Sequence, residues 1–257
     1  MPPGQLSGVQ SLERAFGLLD LIAGHHATGL TLAQAQQCTG LDRTTVHRML
    51  SYLTQAGYVQ RMAGGERPYT LGCRSMALGL SAFTHPPLVD ALRPLMKKLA
   101  RRSGDNVFLV IRLGDFSYTL HLEQGSVPMP RYPELVGASR LLGLGTGSMA
   151  LLAALPDPEL CAHLARHQAT YSANQFSPLR MQRAIQRTRQ LGYTLAAEPG
   201  VAGAGYAWNV PQFGNIALSI LSNRARMPVT RRHELARMLI DEVGSHPGSQ
   251  PVAPAAS

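Results

Sequence analysis

The chain has 257 residues, 45% of them hydrophobic and 15% charged, which excludes a disordered polymer and suits one large or two modest domains. No apolar run is long enough to span a bilayer, and the start, MPPGQLSGVQSLERAF, lacks the basic-then-apolar layout of a secretion signal; a cytoplasmic protein without a membrane partner is expected. The net charge is +9, yet residues 1–72 set Arg14, Arg43, Arg48, Arg61 and Arg67 against Glu13, Asp20, Asp42 and Glu66, so charge alone does not mark that part as a binder of nucleic acid. Cys38, Cys73 and Cys161 are odd in number and scattered, unlike a disulfide framework or a metal-ligand spacing.

Val9 to Gly24 carries Leu12, Ala15, Phe16, Leu19 and Ile22 at helical spacing, with Gly24 as a stop. A second helix is capped by Thr31, striped by Leu32, Ala35 and Cys38, and ended by Gly40. In the third, beginning LDRTTVHRML, Val46, Met49, Leu50 and Leu53 share one face, and Ala56–Gly57 closes it. YVQRM and YTLG around AGGERP form a hairpin, completing a small module over residues 1–72.

Cys73 to Phe83 is expected to be a helix within a linker over 73–86. A larger α+β domain, with a mostly antiparallel sheet, is expected over 87–244. LVDALRPLMKKLARRSG opens it as a helix in which Pro94 calls for a kink or a late start. Two strands then meet at Leu113-Gly114-Asp115. GASRLLGLGTGSMALLAALP combines a short strand, a Gly-rich turn and an apolar helix. Two further helices follow, the second capped by Ser177, then strands with a turn near Pro211–Asn215 and the amphipathic TRRHELARMLIDEVG. Residues 245–257 are expected to be a disordered tail.

With Val46, Met49, Leu50 and Leu53 turned inward, the third helix leaves Arg43, Thr44, Thr45, His47, Arg48 and Ser51 at its front and outer side. A helix entering the major groove of double-stranded DNA needs short hydroxyls for phosphates and Arg or His for base edges, near its N-terminus. Gly64, Gly65 and Arg67 of the hairpin would form a wing beside it. A solvated face on a structural three-helix unit is the plainer alternative for that helix alone; the order helix, helix, helix, wing argues against it.

Other chemistries find less support. GLGTGS breaks the G-x-G-x-x-G pattern at Ser148, and no Gly-Lys-Ser/Thr follows. His163 and His167 share a helical face near Cys161, but no third ligand is evident, so no metal and no cofactor are expected. No Ser or Cys occupies a nucleophile elbow, so no catalytic residue is assigned. RMQRAIQRTRQ reads as a solvated face.

The stretches VQSLERAFGLLDLIA, GLTLAQAQQCTGLDRTTVHRMLSYLTQAGYVQR and YTLG closely resemble the winged helix-turn-helix of the IclR family of transcriptional regulators, and GLGTGSMALLAALP, GYTL…PGVAGAG and IALSI resemble its effector-binding domain. The resemblance implies a GAF-like sheet domain, a homodimer or homotetramer, operator DNA as partner and a small-molecule effector. It places the effector at Leu144, Gly145, Thr146 and Gly147, then Val201, Ala202, Gly203, Ala204 and Gly205, then Ser219. Amides at a helix N-terminus would suit a carboxylate, although the glycines would equally permit tight helix–strand packing. AGAGYAW and Leu221 depart from the family pattern, so Tyr206 and Trp208 are expected to shape a more apolar pocket. A metabolite-binding protein or enzyme whose winged helix only pairs protomers is the alternative.

Overall fold

The second and third helices of the first unit start where a side chain can satisfy a free backbone amide. The computed structural model describes residues 9–25, 28–63, 67–84, 86–127, 135–198, 200–246 and 250–251. Helix α1 spans Gln10–Gly24, α2 Leu32–Thr39 and α3 Arg43–Gln55. Thr31 and Gln34 form a capping box on α2: the Gln34 amide donates to the Thr31 hydroxyl at 3.2 Å, and the Thr31 amide to Gln34 Oε1 at 2.9 Å. Gly40 closes α2 at φ +66°, and Asp42 opens α3 by accepting from the Thr45 amide at 2.9 Å.

Val46, Leu50 and Leu53 of α3 meet Leu18 and Ile22 of α1 and Ala35 of α2 in one apolar cluster. Strands β1 (Val59–Arg61) and β2 (Tyr69–Leu71) pair antiparallel and close it with Val59 and Tyr69. Helix α4 (Cys73–Thr84), expected within a linker, folds back on this unit: Ser75 Oγ donates to the Tyr58 carbonyl at 2.8 Å. The chain accordingly divides into compact units 1–86 and 87–257.

The second unit is built on an antiparallel sheet of order β5-β4-β3-β8-β7-β6, formed by β3 (Asn106–Leu113), β4 (Phe116–Glu123), β5 (Ser139–Leu141), β6 (Thr194–Glu198), β7 (Val201–Val210) and β8 (Gly214–Asn223). Strand residues alternate between two cores. Val107 and Leu109 pack with α5 (Pro87–Ser103) and α10 (Val229–Gly244). Phe108 and Val110 pack with α6 (Thr146–Ala153), α7 (Asp157–Arg166) and α9 (Pro178–Leu191). The fold is α+β, as the sequence leads one to expect.

Three details differ from expectation. Helix α5 begins at Pro87 and runs through Pro94 rather than starting late. A short helix, α8 (Gln168–Ala173), joins α7 to α9. The carboxyl-terminal segment is not wholly a disordered tail, because β9 (Gln250–Pro251) pairs with Trp208 and Asn209 of β7. The reason is the short β6, which covers β7 only from Val201 to Gly205 and leaves the rest of that edge with bonding groups to fill.

Candidate nucleic-acid interface and ligand cavity

Packing decides which side of α3 meets solvent. Because Val46, Leu50 and Leu53 are buried, Arg43, Thr44, His47, Arg48 and Ser51 are exposed. Thr45 is half-buried, and its amide and hydroxyl bind Asp42, holding that carboxyl below its usual range. Tyr52, 71% exposed, extends the same surface one turn beyond Arg48 and was not singled out by the sequence pattern. Arg67 is exposed at φ +46°, a backbone conformation that side chains other than glycine, asparagine and aspartate rarely adopt. Gly64 and Gly65 lie outside the described residues.

The expected effector residues do not converge on one space. Leu144 and Gly145 are half-buried and border open cavities. Thr146, Gly147, Gly205 and Ser219 are buried where α6 lies against the sheet. A Cβ on Gly147 would stand 3.2 Å from Val110 Cγ2 and 3.5 Å from Ser219 Oγ; one on Gly205 would stand 3.0 Å from the Thr146 carbonyl oxygen. These glycines serve close helix–sheet packing. Gly203 is held similarly by its neighbouring strand, and Val201 is half-buried at the start of β7. Ala202 and Ala204 lie in the core on the opposite face, beside Trp208. Five consecutive strand residues cannot all line one pocket, since their side chains alternate. Trp208 is fully buried in that same core and Tyr206 stacks on it at 6.3 Å, so neither shapes a space at the Gly-rich loop.

A cavity of about 300 Å³ lies instead on the other side of the loop, against α9, β6 and α10. Gly143, Gly145, Phe176, Thr188 and Thr194 border it, with Arg180, Arg187 and Arg232, and among the described residues no carboxylate lines it. Arg232 Nη1 donates to the Ala196 carbonyl at 3.2 Å, whereas its buried Nε has no hydrogen-bond partner among the described residues. Burial, and then the charges of Arg187 and Arg224, pull the Arg232 pKa down. Arg180 and Arg187 belong to the helix taken above as a solvated face. Their signal was periodic: Arg180, Ala184, Arg187 and Thr188 share one side of α9, opposite no acid of their own helix.

The histidines of α7 also lie differently from expectation. His163 is 1% exposed, and Asp115 from the β3–β4 turn supplies the third group that the linear spacing could not reveal. His163 Nδ1 is 2.9 Å from Asp115 Oδ1, and His167 Nε2 is 2.8 Å from Oδ2, which Arg166 also holds. Burial opposes ionisation of Asp115, but the polar contacts with His163, His167 and Arg166 hold its carboxyl well below the usual range. Burial, reinforced by the Asp115 charge, pushes the Tyr171 hydroxyl upward. Cys161 is exposed.

Residues 11–63 match the IclR helix-turn-helix domain, and residues 80–245 match the bacterial transcriptional regulator IclR C-terminal domain. The chain belongs to the IclR family. Among its IclR relatives is the acetate operon repressor of Salmonella typhimurium, 27% identical over 240 residues that cover 90% of this chain and 86% of that repressor. The transcriptional repressor IclR of Escherichia coli is 26% identical over 199 residues, covering 76% and 72%. The crystal structure of an IclR-family regulator from Brucella abortus shares the fold, with a TM-score of 0.68 at 21% identity over 93% of this chain and 91% of that one. The protein is thus a DNA-binding transcriptional regulator of the IclR type, and the alternative of an enzyme falls away. Among the described residues, no helix is long and apolar enough to cross a membrane.

Proposed function

We propose that this regulator acts in the cytoplasm, reading an operator with α3 and responding to a small carboxylate-bearing metabolite held in the arginine-lined cavity. Arg48, His47 and Arg43 address base edges, Thr44, Thr45 and Ser51 the nearby backbone, and Arg67 a phosphate beside the wing. The observation that carries the effector assignment is the cavity's charge. Among the described residues, three guanidinium groups border a space that no carboxylate lines, and one of them keeps a buried Nε–H that none of those residues accepts. Buried donors of that kind call for an anion.

A homodimer or homotetramer fits this reading. Leu12 and Phe16 on α1 and Met76 and Leu78 on α4 are more than half exposed, an apolar surface on the DNA-binding unit that pairing would cover. Effector binding then biases one pose of the paired units over another, which requires different affinity for the anion in the two poses.

The test is a titration of labelled DNA from upstream of the protein's own gene, with and without a panel of small carboxylates. Selective, salt-sensitive binding that a carboxylate shifts is expected. Equal affinity for unrelated DNA would overturn the operator assignment, and a carboxylate response that survives Arg187→Gln with Arg232→Gln would overturn the cavity assignment.

A further inference from the structure

The groups around Asp115 are organised more tightly than a salt bridge requires. Asp115 comes from the turn between β3 and β4, while His163 and His167 come from one side of α7 and its end. One potential ligand atom from each lies within 4.8 Å of the other two. Tyr171 determines which His163 nitrogen is available. Its hydroxyl lies 2.6 Å from the Leu142 carbonyl, which can only accept, so the hydroxyl proton points there. The hydroxyl oxygen, 2.7 Å from His163 Nε2, must therefore accept, and Nε2 carries the proton. In a neutral imidazole this leaves the Nδ1 lone pair facing Asp115 Oδ1 at 2.9 Å, two acceptors opposed inside the protein. A positive centre has to stand between them, either a second proton or a cation.

The surroundings favour a cation. His167 brings a second imidazole to the other carboxylate oxygen, so two nitrogen donors and one carboxylate converge. A ligating histidine whose other N–H is fixed by an outer partner, here Tyr171 anchored on Leu142, is the arrangement transition metals use. We infer that Asp115, His163 and His167 bind a divalent transition-metal ion of the zinc class, through His163 Nδ1, His167 Nε2 and the carboxylate, with water completing the shell. Imidazole donors suit zinc, cobalt and nickel better than magnesium or calcium. Metal–ligand bonds of about 2.0–2.1 Å in a tetrahedron set ligand atoms about 3.3 Å apart, so the contacts of 2.9 and 2.8 Å widen by about 0.4–0.5 Å, while ligand atoms now up to 4.8 Å apart close by up to about 1.5 Å. Arg166, whose side chain is 50% exposed, swings out to solvent, and the proton on His167 moves to Nδ1. The ion would tie the β3–β4 hairpin to α7 and, through Tyr171, to Leu142 beside the Gly-rich loop. This site is independent of the effector cavity, and its test needs neither DNA nor effector.

The experiment uses untagged, full-length protein stripped with EDTA, in a Cys161→Ser background because that exposed thiol lies on the same helix. Co²⁺ is titrated while visible absorption is followed, and Zn²⁺ is then added as competitor. The expected result is one Co²⁺ per chain with ligand-field bands, displaced by Zn²⁺, and a melting temperature that Zn²⁺ raises and EDTA returns. Tyr171→Phe removes the outer partner and is expected to weaken uptake by about tenfold to a hundredfold. His167→Ala, at a more accessible position, is expected to abolish uptake at the same concentrations. No uptake by the unaltered site, or undiminished uptake by folded His167→Ala, would overturn the inference; the first result would leave a doubly protonated imidazole as the positive centre.

Discussion

Arg48 and Leu50 stand two residues apart on α3 and face opposite ways, so exchanging each for alanine separates binding from stability. Leu50 is completely buried among residues of α1, α2 and the hairpin. Leu50→Ala removes three carbons, about 2.4 kcal/mol at roughly 0.8 kcal/mol per buried methylene. The cavity left behind adds to this, giving about 3–4 kcal/mol within the range of about 2–5 measured for such truncations. Arg48→Ala shortens an exposed side chain and should change stability by less than about 0.5 kcal/mol. Its effect falls on DNA: one bidentate base contact carries about 1–3 kcal/mol of discrimination, or roughly 5- to 150-fold in Kd. A symmetric dimer on a palindrome uses the contact twice, which doubles the free-energy loss. Fluorescence of the single tryptophan, Trp208, reports on the other unit, so unfolding of the first unit is better followed by amide exchange in urea. Operator affinity is read by anisotropy of labelled DNA at one fixed salt concentration. Unchanged affinity and base preference in Arg48→Ala, or unchanged protection in Leu50→Ala, would refute the assignment of α3's two faces.

Three further outcomes are expected. Arg67→Gly removes a charge and relieves a left-handed backbone; binding to all sequences should weaken alike, with the salt slope reduced by about one unit, and a sequence-selective loss would contradict the phosphate role. Arg187→Gln should act in opposite directions: thermal stabilisation by carboxylates falls, while the ligand-free protein melts higher because Arg232 loses a repulsive neighbour. Stabilisation by carboxylates equal to that of the parent protein would remove the cavity from consideration. Gly147→Val should wedge α6 against Val110 and Ser219 and cost about 1–3 kcal/mol in thermal or urea unfolding. Full stability with a lost effector response would mean that Gly147 faces ligand after all.

Local signals carried the first unit almost completely. Thr31, Gly40 and Asp42 are short-range caps, and the inward set of α3 follows from a repeat visible along one helix. The face of α3 that meets solvent was legible for the same reason, because burying Val46, Leu50 and Leu53 leaves Arg43, Thr44, His47, Arg48 and Ser51 no other side. The Gly-rich region was legible as a loop before a helix, but the space around it was not. Whether Gly147 borders a ligand or a strand depends on how closely α6 approaches β7 and β8, and which of Ala202 to Gly205 faces the loop depends on strand register.

Those quantities arise between segments far apart in the chain, and no periodicity within one segment encodes them. The same holds for Arg232 meeting Arg180 and Arg187 around one cavity, and for Asp115 reaching His163 across 48 positions of sequence. By itself the sequence determined the helices of the first unit, the caps of α2 and α3, the α+β class and the side of α3 that meets solvent, since each depends on neighbours within a few residues. Only the tertiary structure decided which glycines lie close against the sheet, where the cationic cavity opens, and that a buried and a half-buried imidazole share one carboxylate, since each depends on a distance that the folded chain alone creates.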